Sequence, residues 1–278
     1  MKRSAMPLKP PPARTPLDPP ASPLHDAFAS LFAISLLMGA GMGLAACSKG
    51  LDRADAPLAG SQVGGDFALI DKAGKTLPAR TRAAAGMAVL RAGGASERQF
   101  AAVQEWLTAA RRDEPDSPGP LLNEGEFYAL KLDYARAEAV YTAVLAKEPR
   151  NVVALNNLAW ILAPQPESSA KALELIDRAV AEIGVTGELL DTRARVRIAA
   201  KQFELAEKDL TEALTQEKTG LRMFHMALAK QAQTPPKKAD AATAFKQAKE
   251  RGLEAKGVHP ADLPQFRVLD AEALRGPS

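Results

Sequence analysis

Reactive side chains are few in this sequence and stand far apart. Its one thiol is Cys47 and its three imidazoles are His25, His225 and His259. A His/Cys-rich structural zinc site needs several such ligands at short spacing, and a disulfide needs two thiols, so both are excluded. Nucleophilic or acid–base catalysis needs a nucleophile beside a base. The chain has no Gly-x-Ser-x-Gly, His-Glu-x-x-His, Gly-x-Gly-x-x-Gly or phosphate-loop run that would place one. Glu124 and Glu126 are two apart, so on a helix they point away from each other and read as surface charge. The expectation is a protein that is not an enzyme and that needs no metal or cofactor. What is left is recognition, and the residue best suited to it is Trp160, whose large ring contributes heavily at interfaces when partly exposed; burial in the core is the competing reading.

The elements that would carry such a residue are read from the stretch Pro118 to Asn151. Leu121, Gly125, Tyr128, Ala137, Tyr141, Val144 and Pro149 stand there at places 4, 8, 11, 20, 24, 27 and 32. Small residues at Gly125 and Ala137 let two antiparallel helices approach, aromatic rings fill the space between them, and Pro149, without an N–H, ends the second helix. This pattern resembles the tetratricopeptide (TPR) repeat. Similar units follow at 152–186, with Leu155, Leu158, Ala159, Leu162, Ala172, Ile176 and Ala179, and at 187–220, with Leu190, Ala194, Ala206, Leu210 and Ala213. A further unit at 222–255 has Leu228, Ala229, Ala241, Phe245 and Ala248, with Thr234-Pro235-Pro236 between its helices.

A degenerate first unit occupies 84–117, where Gly93-Gly94 breaks the helix pair and Ser96 caps the second helix ahead of Phe100, Val103, Leu107 and Ala110. The predicted fold is therefore all-α, a TPR-type α-solenoid of about five helix-turn-helix repeats. Residues 256–278 supply a capping helix and tail, since an array whose units touch only their neighbours needs a polar end cap. His259, just before that helix, reads as a turn residue.

The resemblance implies a concave groove lined by the first helices that binds an extended peptide or another protein. Places 4, 7, 8 and 11 face the second helix, so places 5 and 9 project into the groove. Those are Leu122 and Glu126, Asn156 and Trp160, Asp191 and Arg195, Met226 and Lys230. Asn123 and Asn157, at place 6, are expected to bond neighbouring helices. The Lys/Asn and Lys/Arg set with which some members grip a carboxylate is not present at the corresponding places. Arg193 and Arg197 take places that are normally apolar, so each must run its stem along the surface or find an acid, with Asp177 and Glu174 the nearest candidates. Short runs, ALNNLAW and LLDTRARV, are similar to segments of TPR proteins from bacterial exopolysaccharide and exosortase systems.

Ahead of the array, residues 1–26 are rich in proline and lack an apolar period, and Ala27 to Ala46 is a run of twenty uncharged residues. It ends in Leu44-Ala45-Ala46-Cys47, which resembles the lipobox of bacterial lipoprotein signal peptides. The resemblance implies that 1–46 is a signal peptide with a proline-rich lead and that Cys47 carries the lipid attachment. It also implies a lipidated tether at 47–65 and a chain outside the cytoplasm, with Ser48 favouring the outer membrane. An uncleaved single-pass anchor is the alternative. Residues 66–83, with Gly74 in a turn between two short apolar runs, are expected to form a hairpin-like extension.

The formal net charge is +3, and four cations against two acids before Cys47 supply most of it, so the remainder offers no nucleic-acid surface. Function is read as a membrane-anchored extracytoplasmic scaffold or adaptor that binds a protein or peptide partner. The alternative is a periplasmic chaperone-like factor in envelope or exopolysaccharide export, which a groove lined by Met and Leu would favour.

Overall fold

A computed structural model describes residues 76–92 and 95–275. The lipobox, Cys47, the tether, most of the expected hairpin and the Gly93-Gly94 break lie outside the described residues. Eleven α-helices follow one another among the described residues. They pair as α1 (Ala79–Ala92) with α2 (Glu97–Asp113), α3 (Pro118–Leu130) with α4 (Tyr134–Lys147), and α5 (Val152–Leu162) with α6 (Ser169–Ile183). The pairs continue with α7 (Gly187–Ala199) and α8 (Phe203–Gln216), then α9 (Gly220–Gln231) and α10 (Lys238–Glu250), and α11 (Leu263–Arg275) comes last.

Starts are set locally. Ser96 accepts from the N–H of Gln99 while Gln99 returns a bond to the Ser96 backbone, and the side chains of Asp133, Asn151, Thr186 and Thr219 likewise cap α4, α5, α7 and α9. Each such cap contributes about 1 kcal/mol. In the second and fourth pairs the turn between helices is closed by a left-handed residue, Leu132 (φ 59°) and Lys201 (φ 58°).

Two series of small residues bring the helices of a pair together. The eighth residue of the first helix is Gly86, Gly125, Ala159, Ala194 or Ala227, and the fourth residue of the second helix is Ala137, Ala172, Ala206 or Ala241 in the last four pairs. The four alanines of the second series are at most 1% exposed. Gly125 has a specific reason to be glycine, because a Cβ there would meet the Tyr141 ring at 2.7 Å. That ring is fully buried and its hydroxyl accepts from Asn157 Nδ2 at 3.1 Å, which is the expected bond between neighbouring units. The series also corrects the first unit. Gly86, whose Cβ would strike Val103 and Trp106, is eighth only if the unit starts at Ala79. Residues 79–83, expected in the extension, are therefore the opening of α1, and Ala79 and Ala83 are buried.

First helices touch one another along the array, and each second helix lies between its own first helix and the next. A row whose members touch sits at the smaller radius, so the first helices form the concave face. Arg193 and Arg197 are held as ion pairs on the other side of α7. Arg193 reaches Asp177 at 3.2 Å as expected, but its main partner is the buried Asp209, at 2.8 and 3.0 Å, which also takes Arg197. Glu174 belongs instead to Arg178 on its own helix.

Candidate functional site

Places 5 and 9 of the first helices do lie on the concave row, but few of their side chains face open solvent. Leu122 is half-buried against the main core. Glu126 is buried and takes both arms of Arg91, at 2.6 and 2.7 Å. Asn156 donates to Asn157 Oδ1 at 3.3 Å, and its own Oδ1 is buried without a hydrogen-bond partner. Asp191 holds the Nδ1 of His225 at 2.7 Å, both side chains buried.

In the fifth unit the expected places shift by two. The second helix of this pair starts 18 residues after the first, against 16 in the second and fourth pairs, so counting back from it puts the first helix two residues late. Capped by Thr219 and starting at Gly220, α9 carries Phe224 and Leu228 at places 5 and 9. Met226 is buried in the core, and Lys230 bonds Glu207 at 2.6 Å, away from the row. Glu207 also accepts from Gln233 and Lys237, and these donors hold its carboxyl at about 2 against the opposing effect of its partial desolvation.

Trp160 is only 9% exposed and belongs to the main hydrophobic core, the competing reading of its place in the sequence. It is covered by the segment that leads into α11. After α10 the chain turns at Gly252, in a left-handed conformation (φ 79°), and runs through the 3-10 turns Ala255–Gly257 and Pro260–Asp262. Between them His259 stacks on Tyr134 with ring centres 5.2 Å apart and meets Trp160 edge-on at 4.8 Å. Arg195 lies over the other part of the same site, with its guanidinium carbon 4.8 Å from the Trp160 ring and its Nη1 donating to the Trp160 carbonyl at 3.0 Å. Its Nε donates to Asp262 Oδ2 at 3.1 Å, and Nη2 stands 3.0 Å from that oxygen at an angle poor for a hydrogen bond.

The segment therefore crosses several units. His259 sits on the second and third, Asp262 on the fourth, and Phe266 packs between Phe224 at 5.6 Å and Phe245 at 5.2 Å on the fifth. Helix α11 is the expected cap, starting at Leu263 with Pro264 in its first turn, where a missing N–H costs nothing.

The electrostatics of the site follow from its dryness and from the Arg195 cation. Burial pushes the Tyr134 hydroxyl up to about 12. Burial, helped by Arg195, pushes the His259 imidazole down to about 3, so the ring is neutral at ordinary pH. His259 Nδ1 accepts from the N–H of Ala261 at 3.0 Å, so the proton of the neutral ring is on Nε2, which is buried with no partner. His259 is thus the turn residue that its sequence setting implied and also the ring that seals Trp160. No periodic signal marks it or Asp262, because both lie in a linker and bind residues far away in the chain. Among the described residues no cluster of three or more His, Cys, Asp or Glu is placed to hold a metal ion. None of the described helices is long and apolar enough to cross a membrane.

No protein-family model matches the sequence, and no curated protein matches it. Solved structures do match. A thermophilic TPR protein from Thermus thermophilus is similar with a TM-score of 0.55 at 19% identity, over 70% of this chain and 99% of that one. PilW, a widely conserved type IV pilus biogenesis factor, is similar with a TM-score of 0.55 at 18% identity, over 71% of this chain and 89% of its own. At such identities the likeness concerns the fold, which is a TPR-type all-α solenoid.

Proposed function

We propose that this chain is a non-catalytic scaffold or adaptor of the bacterial envelope, anchored through a lipid on Cys47 and binding a protein or peptide in its concave groove. One observation carries the groove assignment. The face formed by Trp160, Arg195 and Tyr134 already accommodates a short segment with a proline turn, through ring stacking and a carboxylate on a guanidinium. The character of the face favours an adaptor over a chaperone-like factor. Asn156, Trp160 and Arg195 supply directional polar and aromatic groups beside the apolar Leu122 and Leu228, whereas a holdase of low sequence preference would line its whole groove with Met and Leu.

Extracytoplasmic placement, with the outer membrane as the expected membrane, rests on the Leu-Ala-Ala-Cys run, its sole thiol and the Ser48 that follows. Two experiments test the reading. In cells, Cys47→Ser should abolish processing and release the chain from membranes, and unchanged fractionation would refute the anchor. Full-length tagged protein should recover a partner from solubilised envelopes that a folded Arg195→Ala chain does not. Equal recovery of the same partners by both would refute the groove.

A further inference from the structure

The Tyr134, Trp160 and Arg195 part of the concave face is covered by the chain itself, and polar atoms there are left without partners. An end cap needs only to cover the last unit, and α11 does this with Phe266 and Leu269, which are buried against it. The lead-in reaches much further, back to Tyr134 and Trp160 on the second and third units. Capping does not account for that reach. The contacts are those of a ligand: a ring between two aromatic side chains, a proline turn, and a carboxylate on a buried guanidinium three residues later. Yet His259 Nε2 is buried with no acceptor, and Asn156 Oδ1, one helical turn from Trp160 on the same face, is buried with no donor. A buried donor or acceptor left unpaired weakens whatever conformation buries it. The chain enters the segment through Gly252, in a left-handed turn, and through Leu253 and Val258, which are buried in the main core, so only the stretch from His259 to Asp262 need leave the face.

We propose that Tyr134, Trp160 and Arg195 form a peptide site for an aromatic or imidazole ring followed three residues later by a carboxylate, and that His259 to Asp262 is a built-in occupant which a partner segment of that chemistry displaces. This rests on the groove reading above and adds the partner's chemistry and a resting, closed state. The occupant is tethered, so it competes at an effective concentration near the millimolar range for a short linker. A free segment therefore binds weakly until the tethered one is loosened. Arg195 works here as a single cation seated over a ring, a different device from the Lys/Asn clamp of some relatives of this fold.

The test uses the full chain and a labelled octapeptide with the sequence of residues 257–264, with a second peptide in which the aspartate is replaced by asparagine. By fluorescence anisotropy, Asp262→Asn protein should bind the acidic peptide at least about tenfold more tightly than unaltered protein. It should discriminate against the amide peptide by about tenfold or more, and Arg195→Ala in the same chain should remove that discrimination. Equal affinity of the altered and unaltered chains, equal affinity for the two peptides, or no binding by either chain would overturn the proposal. Should Asp262→Asn fail to fold by circular dichroism, the unaltered chain decides. Millimolar acidic peptide should then speed hydrogen exchange at Val258 to Leu263, and no change would overturn it. A partner recovered through Arg195 by a chain that ignores the peptide leaves the scaffold function standing and removes the built-in occupant. Peptide binding without any recovered partner does the reverse.

Discussion

The seams between helices and the concave face are built on opposite principles. In the seams, contact is made by small residues at fixed places, Gly125 under Tyr141 or Ala206 with no exposure at all, and each works with a neighbour about half a repeat away. On the concave face large apolar side chains alternate with buried polar ones, and three of the polar ones find partners outside their own unit: Arg91 for Glu126, His225 for Asp191, Asp262 for Arg195. Close packing of small residues supplies stability, because nothing there can be enlarged without moving a backbone. Buried polar pairs contribute less net stability and more selectivity, since each group must find one geometry or remain unsatisfied. The seams make the solenoid, and the concave face decides what it accepts.

Substitutions should separate the two. The largest effect is expected at Gly125→Val, where a branched side chain would drive into a buried ring that cannot swing away. The cost should be about 3 kcal/mol, at the upper end of overpacking, and a urea midpoint left unchanged would refute the seam account. Next is Asp209→Ala, which leaves Arg193 with the half-exposed Asp177 and Arg197 with no acid, only the Leu205 carbonyl. A loss of roughly 2 kcal/mol is expected in the same assay. That lies below the range for breaking fully buried pairs, because both guanidiniums can reach water.

A smaller and more selective effect should follow pH. The His259 imidazole is held near 3 in the closed chain, against an ordinary value near 6.5 when released. A depressed folded value means that the closed state has its full stability above about 6.5 and loses it as pH falls toward 3. The groups that face this ring are Tyr134, Arg195, Asp262 and, further off, His225. By linkage, closure at about pH 5.5 should be about tenfold weaker than at about pH 7.5, read as faster hydrogen exchange at residues 258–262 after correction for intrinsic rates. A His259→Gln chain should lose this dependence. The smallest effect should be at Arg150→Ala, whose pair with Glu182 is exposed to solvent, and a urea midpoint shifted as far as that of Asp209→Ala would contradict the ordering.

The same division explains what could be read from the sequence. Small residues recurring at helical spacing report the seams directly, so the solenoid was legible, as was the cap at Ser96 from its residue type; of the two asparagines expected to bond a neighbouring helix, Asn157 does so, through Tyr141. Unit starts were misplaced in the first and fifth pairs, where the second helix starts 18 residues after the first rather than 16. Ala79 opens the first unit and Gly220 the fifth, and the two-residue shift in the fifth moved the groove places from Phe224 and Leu228 to Met226 and Lys230. On the first helices Leu122, Glu126, Asn156, Trp160, Asp191 and Arg195 stand at the expected places, but the side chains that pair with or cover them were not legible. Arg195 and Asp262 are 67 residues apart, and no local period connects a repeat to a linker beyond the array. Asp209 was missed for a related reason, because one acid serves two arginines from a place that carries no apolar or small-residue signal.

Hydrogen exchange on the full chain, comparing unaltered protein with Asp262→Asn, tests most directly whether the tail closes the groove. The account predicts that amides of residues 258–263 and the backbone around Trp160 gain exchange together while the seam at Ala206 and Leu210 does not change. Full protection around Trp160 after the tail segment has been freed would show that the groove is closed by something other than the tail.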